Sequence, residues 1–340
     1  MEPPGSLSAL RSINDHIGSG HLGSSVPEIS VVIPLYNEEE NLPQLHQRLS
    51  IVLGSLGCNY EIVFVNDGSR DNTAQFADHL QQKDTHLTVI DFSRNFGHQA
   101  AVTAGLDFAH GRCVLIMDGD LQDPPEVIPL LMEKWRSGFD VVYAVRKRRK
   151  ESLLKRLGYF GFYRILQAIS DLDIPLDSGD FCLLDRKAVD VLKGLPERIR
   201  FVRGLRTFIG FRQAGIEYER DARAAGEPKY TWPALVRLAV DGLVSFSSYP
   251  LRLVTYFGVC TGLAAIGLIF WVFYDIVLGH TGPRGWASLA AILLSIGSVQ
   301  LICLGIIGEY IRLIFLETKG RPTYIVSQYK PSRDLSSKDG

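Results

Sequence analysis

Two stretches of this 340-residue chain are too long and too poor in charge for most soluble folds. From Leu251 to Leu278 the charged side chains are Arg252 and Asp275. From Trp286 to Phe315 they are Glu309 and Arg312, both near the end. Each run exceeds the roughly 20 residues that cross a hydrocarbon core. They read as two transmembrane helices within 251–316; the alternative is an apolar hairpin buried in a soluble core. The loop between them, "GHTGPRG", offers only Arg284, whereas Lys319, Arg321 and Lys330 follow the second run. That bias puts the tail, 317–340, on the cytoplasmic side. Residues 1–28 contain Gly, Ser, Pro and His without the apolar centre of a signal peptide, so they are expected to be a disordered tail. The portion after them is then expected to stay in the cytoplasm, in an integral protein of the inner (plasma) membrane.

A formal net charge of −1 and a pI near 6.7 give no reason to expect a nucleic-acid partner. The five cysteines, Cys58, Cys113, Cys182, Cys260 and Cys303, form no C-x-x-C pair and are read as reduced bystanders.

Before the apolar runs the chain alternates. "ISVVIPLY" (29–36), "YEIVFVND" (60–67), "LTVIDFS" (87–93), "CVLIMD" (113–118) and "FDVVYAV" (139–145) are short β-branched runs. Stretches with helical spacing, 39–53, 72–82, 97–109 and 125–136, separate them. That rhythm predicts an α/β fold with a Rossmann-like, mostly parallel sheet over 29–230, covered on both faces. Ligands of such sheets sit beyond the carboxyl ends of the strands. One edge therefore collects Asn37 and Glu38, then Asp67, then Arg94 and Asn95, then Asp118 and Asp120.

The last of these lies in "VLIMDGDLQDPPE" (114–126), where a buried strand runs into three aspartates and a glutamate. A D-x-D at a strand end can share one hard divalent cation, Mg2+ or Mn2+, with Gln122 adding a neutral oxygen and phosphate oxygens completing the shell. A solvated acidic loop is the alternative. "NDGSRDNT" (66–73) is either a carboxylate, Asp67, facing a base or ribose, or an ordinary turn capping the next helix. "LDSGDFCLLDRKAVDVL" (176–192) sets Asp177 and Asp180 in a Ser-Gly turn ahead of a helix. "RAAGEPKY" (223–230) carries Arg223, Lys229 and Tyr230 around a Gly and a Pro. It suits a mobile loop closing over a diphosphate, or a solvated linker.

Two amphipathic stretches precede the apolar runs. The first, 146–169, opens with five cations, Arg146 to Lys150, and suits a helix in the headgroup plane that attracts anionic lipid. The second, 231–250, spaces Trp232, Leu235, Leu238, Leu243 and Phe246 as a juxtamembrane helix. Either could instead be a core helix. Small residues in "GVCTGLAAIG" (258–267) allow close packing of spans within or between subunits, so a homo-oligomer is an open expectation.

In order, "SVVIPLYNEEENL", "VNDGSRDNT", "FSRNFGHQAAVTAGLDFA", "MDGDLQDPPEVIP", "DSGDFCLLDR", "FVRGL" and "AGEPKY" resemble family 2 glycosyltransferases of the GT-A fold. With the two apolar runs, the chain is similar over about 29–330 to the polyprenyl-phosphate glycosyltransferases, among them bactoprenol glucosyltransferases and dolichol-phosphate mannose synthase. The resemblance implies that Tyr36, Asn37, Glu38 and Asp67 hold the nucleoside, with Pro34 and Gly119 in the same donor-binding set. It implies Asp118, Asp120 and Gln122 as metal ligands, and Arg94, Arg223 and Lys229 as phosphate contacts. Pro228 departs from the usual Ser of that last loop and leaves its detailed phosphate contacts open.

The implied reaction is inverting transfer of a hexose, glucose from UDP-glucose first, to undecaprenyl phosphate. Asp120, Arg223, Lys229 and Asp180 are the implied catalytic set. The acceptor oxygen is already anionic, so Asp180 is expected to orient substrate or support the metal more than to remove a proton. Mannose, galactose, N-acetylhexosamine and aminoarabinose donors stay open. So does a catalytically silent nucleotide-sugar-binding scaffold for a flippase. A processive polysaccharide synthase is disfavoured, because no Q-x-x-R-W motif is present.

Overall fold

The computed structural model describes residues 26–146, 178–198, 200–219, 249–278 and 286–333. Among them eight strands form one sheet: β1 (Ile29–Leu35), β2 (Tyr60–Asn66), β3 (Leu87–Phe92), β4 (Cys113–Ile116), β5 (Val141–Arg146), β6 (Ser178–Asp185), β7 (Gln213–Tyr218) and β8 (Val326–Lys330). Their spatial order is β7-β5-β6-β4-β1-β2-β3-β8. The central run β4-β1-β2-β3 is parallel. Every residue of β1, β3 and β4 is buried, as a parallel sheet covered on both faces requires.

Six helices cover it: α1 (Leu42–Ser55), α2 (Thr73–Lys83), α3 (His98–Phe108), α4 (Ile128–Arg136), α5 (Arg186–Gly194) and α6 (Val202–Phe208). The strand alternation decides which face each takes. Ile29, Val31, Ile33 and Leu35 pack with α1 and α4, where Leu42, Leu45, Leu49, Val52 and Leu53 form the inward stripe of α1. Val32 faces the other way, onto Ala101 and Ala104 of α3, in one cluster with Val189 of α5 and Leu205 of α6.

The five β-branched runs and the four helical stretches between them are found where the pattern put them. Three strands were not legible. The Ser-Gly-Asp stretch expected to turn ahead of a helix is instead β6, antiparallel to both β4 and β5. Phe181, Cys182, Leu183 and Leu184 are all buried there, and pairing on both sides overrides the local turn preference. In the expected tail, β8 runs antiparallel to β3 and covers that edge. The Tyr324 ring stacks on Phe92 at 5.1 Å, its hydroxyl donates to Asp107 at 2.8 Å, and Lys330 pairs with Asp78 and Asp91.

Helices α7 (Tyr249–Val277) and α8 (Trp286–Thr318) fall on the two apolar runs and contact each other. Phe270 and Leu301 are 70% and 72% exposed, so these helices turn apolar surface outward. Among the described residues, Ser295–Thr318 is long and apolar enough to cross a membrane. None of the five cysteines is in a disulfide. The tail before residue 26, the basic segment 147–169, Asp177, Arg223, Pro228, Lys229 and the stretch 231–248 lie outside the described residues.

At the amino end of β3, Asp84 accepts from the His86 backbone N–H at 2.9 Å and lies 2.8 Å from His46 Nε2. Burial pushes its carboxyl up, but the bonds to His46 and His86 win and hold it at about 2. A carboxyl depressed in the folded state adds stability above its unfolded value, near 4, and loses it as pH falls toward 2. The contribution is about 1–2 kcal/mol. Melting curves from pH 6 down to 2.5 should therefore converge for the wild type and Asp84→Asn, with the wild type more stable at pH 6. Parallel curves would remove Asp84 as a source of acid sensitivity.

Candidate active site

The chain runs β1, β2, β3 to one side and then returns to place β4 on the other side of β1. The point where strand order reverses, outside the carboxyl ends of β1 and β4, is where such sheets take ligands. There β1 runs into Tyr36, Asn37 and Glu38, and β4 into Asp118, Gly119 and Asp120.

Pro34 can stand in a central strand for a local reason. Met117 N–H donates to Val32 O, so Val32 and Pro34 turn their backbones toward β4, which pairs no further than Ile116. The missing Pro34 N–H falls where the ladder has ended. Gly119 is held by contact. A Cβ on it would come within 2.9 Å of Leu35 Cδ2 and 3.3 Å of Pro34 O. Both residues thus shape the floor that presents Asp118 and Asp120.

The loops after β1 and β2 are tied together by side chains. Asn37, at φ 52°, accepts the Arg70 N–H on Oδ1, and its own N–H donates to Ser69 Oγ. Glu38 N–H donates to Thr73 Oγ1, and Glu38 Oε2 accepts from Asn41. Asp67 is 3% exposed and spends both oxygens on the loop before α3, accepting Phe96 N–H at 2.6 Å and Gly97 N–H at 2.9 Å. Burial pushes its carboxyl up against those two bonds. Gly68 follows at φ 62°, and a Cβ there would sit 2.5 Å from the Arg94 carbonyl carbon. Only glycine satisfies both the left-handed backbone and that approach. Arg94 itself is exposed and lies over the Phe96 ring at 4.3 Å.

The four acids of 114–126 separate by role. Glu126 forms a surface pair with Arg48, at 2.6 Å. Asp123 is 1% exposed and accepts the Tyr218 hydroxyl at 2.5 Å, fastening the loop to the end of β7. Asp120 is buried and accepts the Gln122 N–H at 3.1 Å. Asp118 keeps 30% of its side chain open, 3.7 Å from His98 Nε2. Burial of the rest pushes its carboxyl up to about 6; the His98 charge opposes this, and Asp123, Asp180 and Asp120 add to it.

Asp180, on β6, faces the same space. His98 Nε2 lies 3.4 Å from its Oδ2, Gln99 Nε2 donates to the same oxygen at 3.4 Å, and Arg203 donates to Oδ1 from Nε and Nη2, each at 3.3 Å. Burial alone would raise its carboxyl. The bond from His98 and the charges of Arg203, His98 and Arg206 hold it well below the usual carboxylate range. Burial would likewise lower His98, but the bond to Asp180 and the charges of Asp118, Asp180 and Asp67 raise it.

His98, Gln99 and Arg203 had no role assigned from sequence. The signal was present: His98 opens the helix that follows a strand at the site edge, and Arg203 is the cation of "FVRGL".

The donor set fits a hard divalent cation. Asp118 is an accessible carboxylate crowded by three others, so a cation would relieve the repulsion that raises its proton affinity. Among the described residues no group of three or more His, Cys, Asp and Glu side chains makes a complete cage. Two carboxylates leave the other positions to substrate oxygens and water.

Known proteins carry the same pattern. The family model for glycosyl transferase family 2 matches residues 30–192, and that for the GtrB C-terminal hairpin matches 249–314. The uncharacterized glycosyltransferase YkcC of Bacillus subtilis is 45% identical over 302 residues, 88% of this chain and 94% of that protein. The bactoprenol glucosyl transferase of Shigella phage SfX is 40% identical over 306 residues, 89% of this chain and 100% of that protein. Among solved structures, glucosyl-3-phosphoglycerate synthase from Mycobacterium tuberculosis, in complex with Mn2+, UDP and phosphoglyceric acid, has a TM-score of 0.44 at 19% identity, over 72% of this chain and 84% of that one. The parallel sheet, the acidic edge at its switch point and the helical hairpin after it therefore belong together: this chain is a glycosyltransferase of family 2, with the GT-A fold and the GtrB-type C-terminal hairpin.

Proposed function

We propose that this protein transfers glucose from UDP-glucose to polyprenyl phosphate, with inversion, at the cytoplasmic face of a membrane crossed by α7 and α8. One observation carries the reading. The likeness to the bactoprenol glucosyl transferase of Shigella phage SfX runs through the catalytic sheet and the hairpin together, over 100% of that protein.

The site's own residues supply the chemistry. Asp118 and Asp120 would hold Mg2+ or Mn2+, which when bound offsets the charge gathering on a departing diphosphate. Asp67 fixes the β2 and β3 loops against each other and so sets the rim of the donor pocket. Asp180, kept ionised by Arg203 and His98, is a weak base and orients its neighbours. A phosphate acceptor brings its own anionic oxygen, so no protein group has to create the nucleophile. That oxygen forms a bond to the anomeric carbon as the bond to the diphosphate oxygen breaks, and an α-linked donor gives a β-linked product. Arg223 and Lys229 are assigned to the leaving diphosphate through the family pattern alone.

The test is transfer in vesicles containing the full chain and undecaprenyl phosphate. Labelled UDP-glucose should give a labelled product that extracts with lipid and is released by mild acid. Lipid label from UDP-galactose, UDP-N-acetylglucosamine or GDP-mannose, with none from UDP-glucose, would replace the donor. Label from no donor would overturn the function.

A further inference from the structure

The apolar hairpin does more than hold the enzyme at a surface. Two residues past Phe315, where the second apolar run ends, Glu317 lies in the last turn of α8, and both its oxygens accept the Arg198 backbone N–H at 3.1 Å. The Arg198 guanidinium reaches across to the Arg321 carbonyl, so residue 198 is gripped from two sides by the chain leaving the helix. Arg200 folds back onto the carbonyls of Leu195 (2.8 Å) and Glu197 (3.2 Å). Val202 N–H then donates to Gln99 Oε1 at 2.8 Å, which fixes the first turn of α6 on the start of α3.

Gln99 closes the connection, because its Nε2 reaches Asp180, the residue that Arg203 of α6 holds from the other side. The guanidinium that holds Asp180 thus belongs to the fifth residue after the backbone held by α8. Arg206, 1% exposed, donates to Gly179 O at 3.4 Å and fastens the same helix to β6. The position of Arg203 is therefore set jointly by the sheet and by the end of α8.

We propose that Glu317 is a positioning residue for the transfer reaction. Through the Arg198 N–H it registers the last turn of the apolar helix against α6, and so sets where Arg203 and Asp180 stand relative to an acceptor phosphate carried by the bilayer. This rests on the polyprenyl-phosphate reading for its kinetic consequence, although the mechanical link can be measured without it. Misplacing a catalytic constellation by about an ångström costs up to roughly a hundredfold in rate, whereas loss of a solvent-side carboxylate elsewhere costs almost nothing.

The experiment uses the full chain in vesicles and three variants: Glu317→Ala, Glu317→Gln and Glu317→Ala combined with Arg203→Ala. The Ala variant should lose on the order of tenfold to a hundredfold in kcat with undecaprenyl phosphate, with the KM for the nucleotide sugar unchanged. The Gln variant keeps a carbonyl acceptor for the Arg198 N–H and should recover most of that loss. The double variant should be no slower than Arg203→Ala alone, as expected when two residues act through one element.

Hydrogen exchange supplies a readout independent of turnover. In Glu317→Ala, amides 198–208 should exchange faster while β1 and β4 stay protected. If exchange changes as expected but the wild type transfers no sugar to polyprenyl phosphate, the functional reading fails and the link stands. Unchanged exchange at 198–208, equal losses for Ala and Gln, or additive losses in the double variant would each overturn the assignment of Glu317.

Discussion

Asp118→Asn and Asp120→Asn should each lower sugar transfer by on the order of a hundredfold to a thousandfold, while the melting temperature stays close to that of the wild type. The stability half follows from the geometry. Asp120 accepts the Gln122 N–H, which an amide oxygen also does, and Asp118 stands among Asp120, Asp123 and Asp180, so loss of one negative charge relieves repulsion. The activity half follows from the donor set, since an amide cannot supply the anionic oxygen that a hard divalent cation prefers. Chelation with EDTA should silence the wild type, and added Mn2+ or Mg2+ should restore it. Binding gives a second readout, because Mn2+ titrated into the protein without substrate should bind the wild type and fail to bind Asp118→Asn. Full transfer in EDTA, or unchanged Mn2+ affinity in both Asn variants, would take the cation out of this site.

What the sequence made legible here is what periodicity and strand ends determine. β1 to β5 and the four helices between them follow from apolar alternation, and the acidic edge follows from where those strands stop. What it hid depends on partners distant in the chain. β6 has a turn-like opening, and only pairing with β4 and β5 makes it a strand. β8 is short and half polar, and its identity comes from the edge of β3 more than two hundred residues earlier.

The site divides in the same way. Asp118, Asp120 and Asp180 were visible as acids at a sheet edge. Asp67 was visible too, but its two bonds go to Phe96 and Gly97 ahead of α3, partners about thirty residues on that neither local reading of 66–73 contained. Pro34 and Gly119 are fixed by backbone fit, which no composition signal reveals. His98, Gln99 and Arg203 come together only once α3, α6 and β6 have packed, and the His98 bond with the Arg203 charge holds the Asp180 carboxyl low against its burial.

That charge state leads to the second large effect. Asp180→Asn should slow transfer by roughly tenfold to a hundredfold through disorder of Arg203 and His98, yet ionisation of Asp180 itself should not govern the wild-type rate. The Asp180 carboxyl is held far below the ordinary range, so it is ionised at every pH where the enzyme works, and its low proton affinity makes it a poor proton acceptor. Between pH about 6 and 8 the acceptor changes charge, its second phosphate ionisation lying near 6 by analogy with phosphorylated side chains; Asp118, pushed up to about 6 without a cation, and the raised His98 face the same space, and only the acceptor's ionisation moves when the acceptor is changed. The profile of kcat/KM should rise through that value and then level off. A phosphonate analogue of the acceptor, with its higher second pKa, should move the whole limb upward by the same interval. In Asp180→Asn the limb should keep its position at a lower height, because Asn still accepts from Arg203 but no longer balances its charge. A wild-type limb that ignores the phosphonate and vanishes in Asp180→Asn would make Asp180 the base after all.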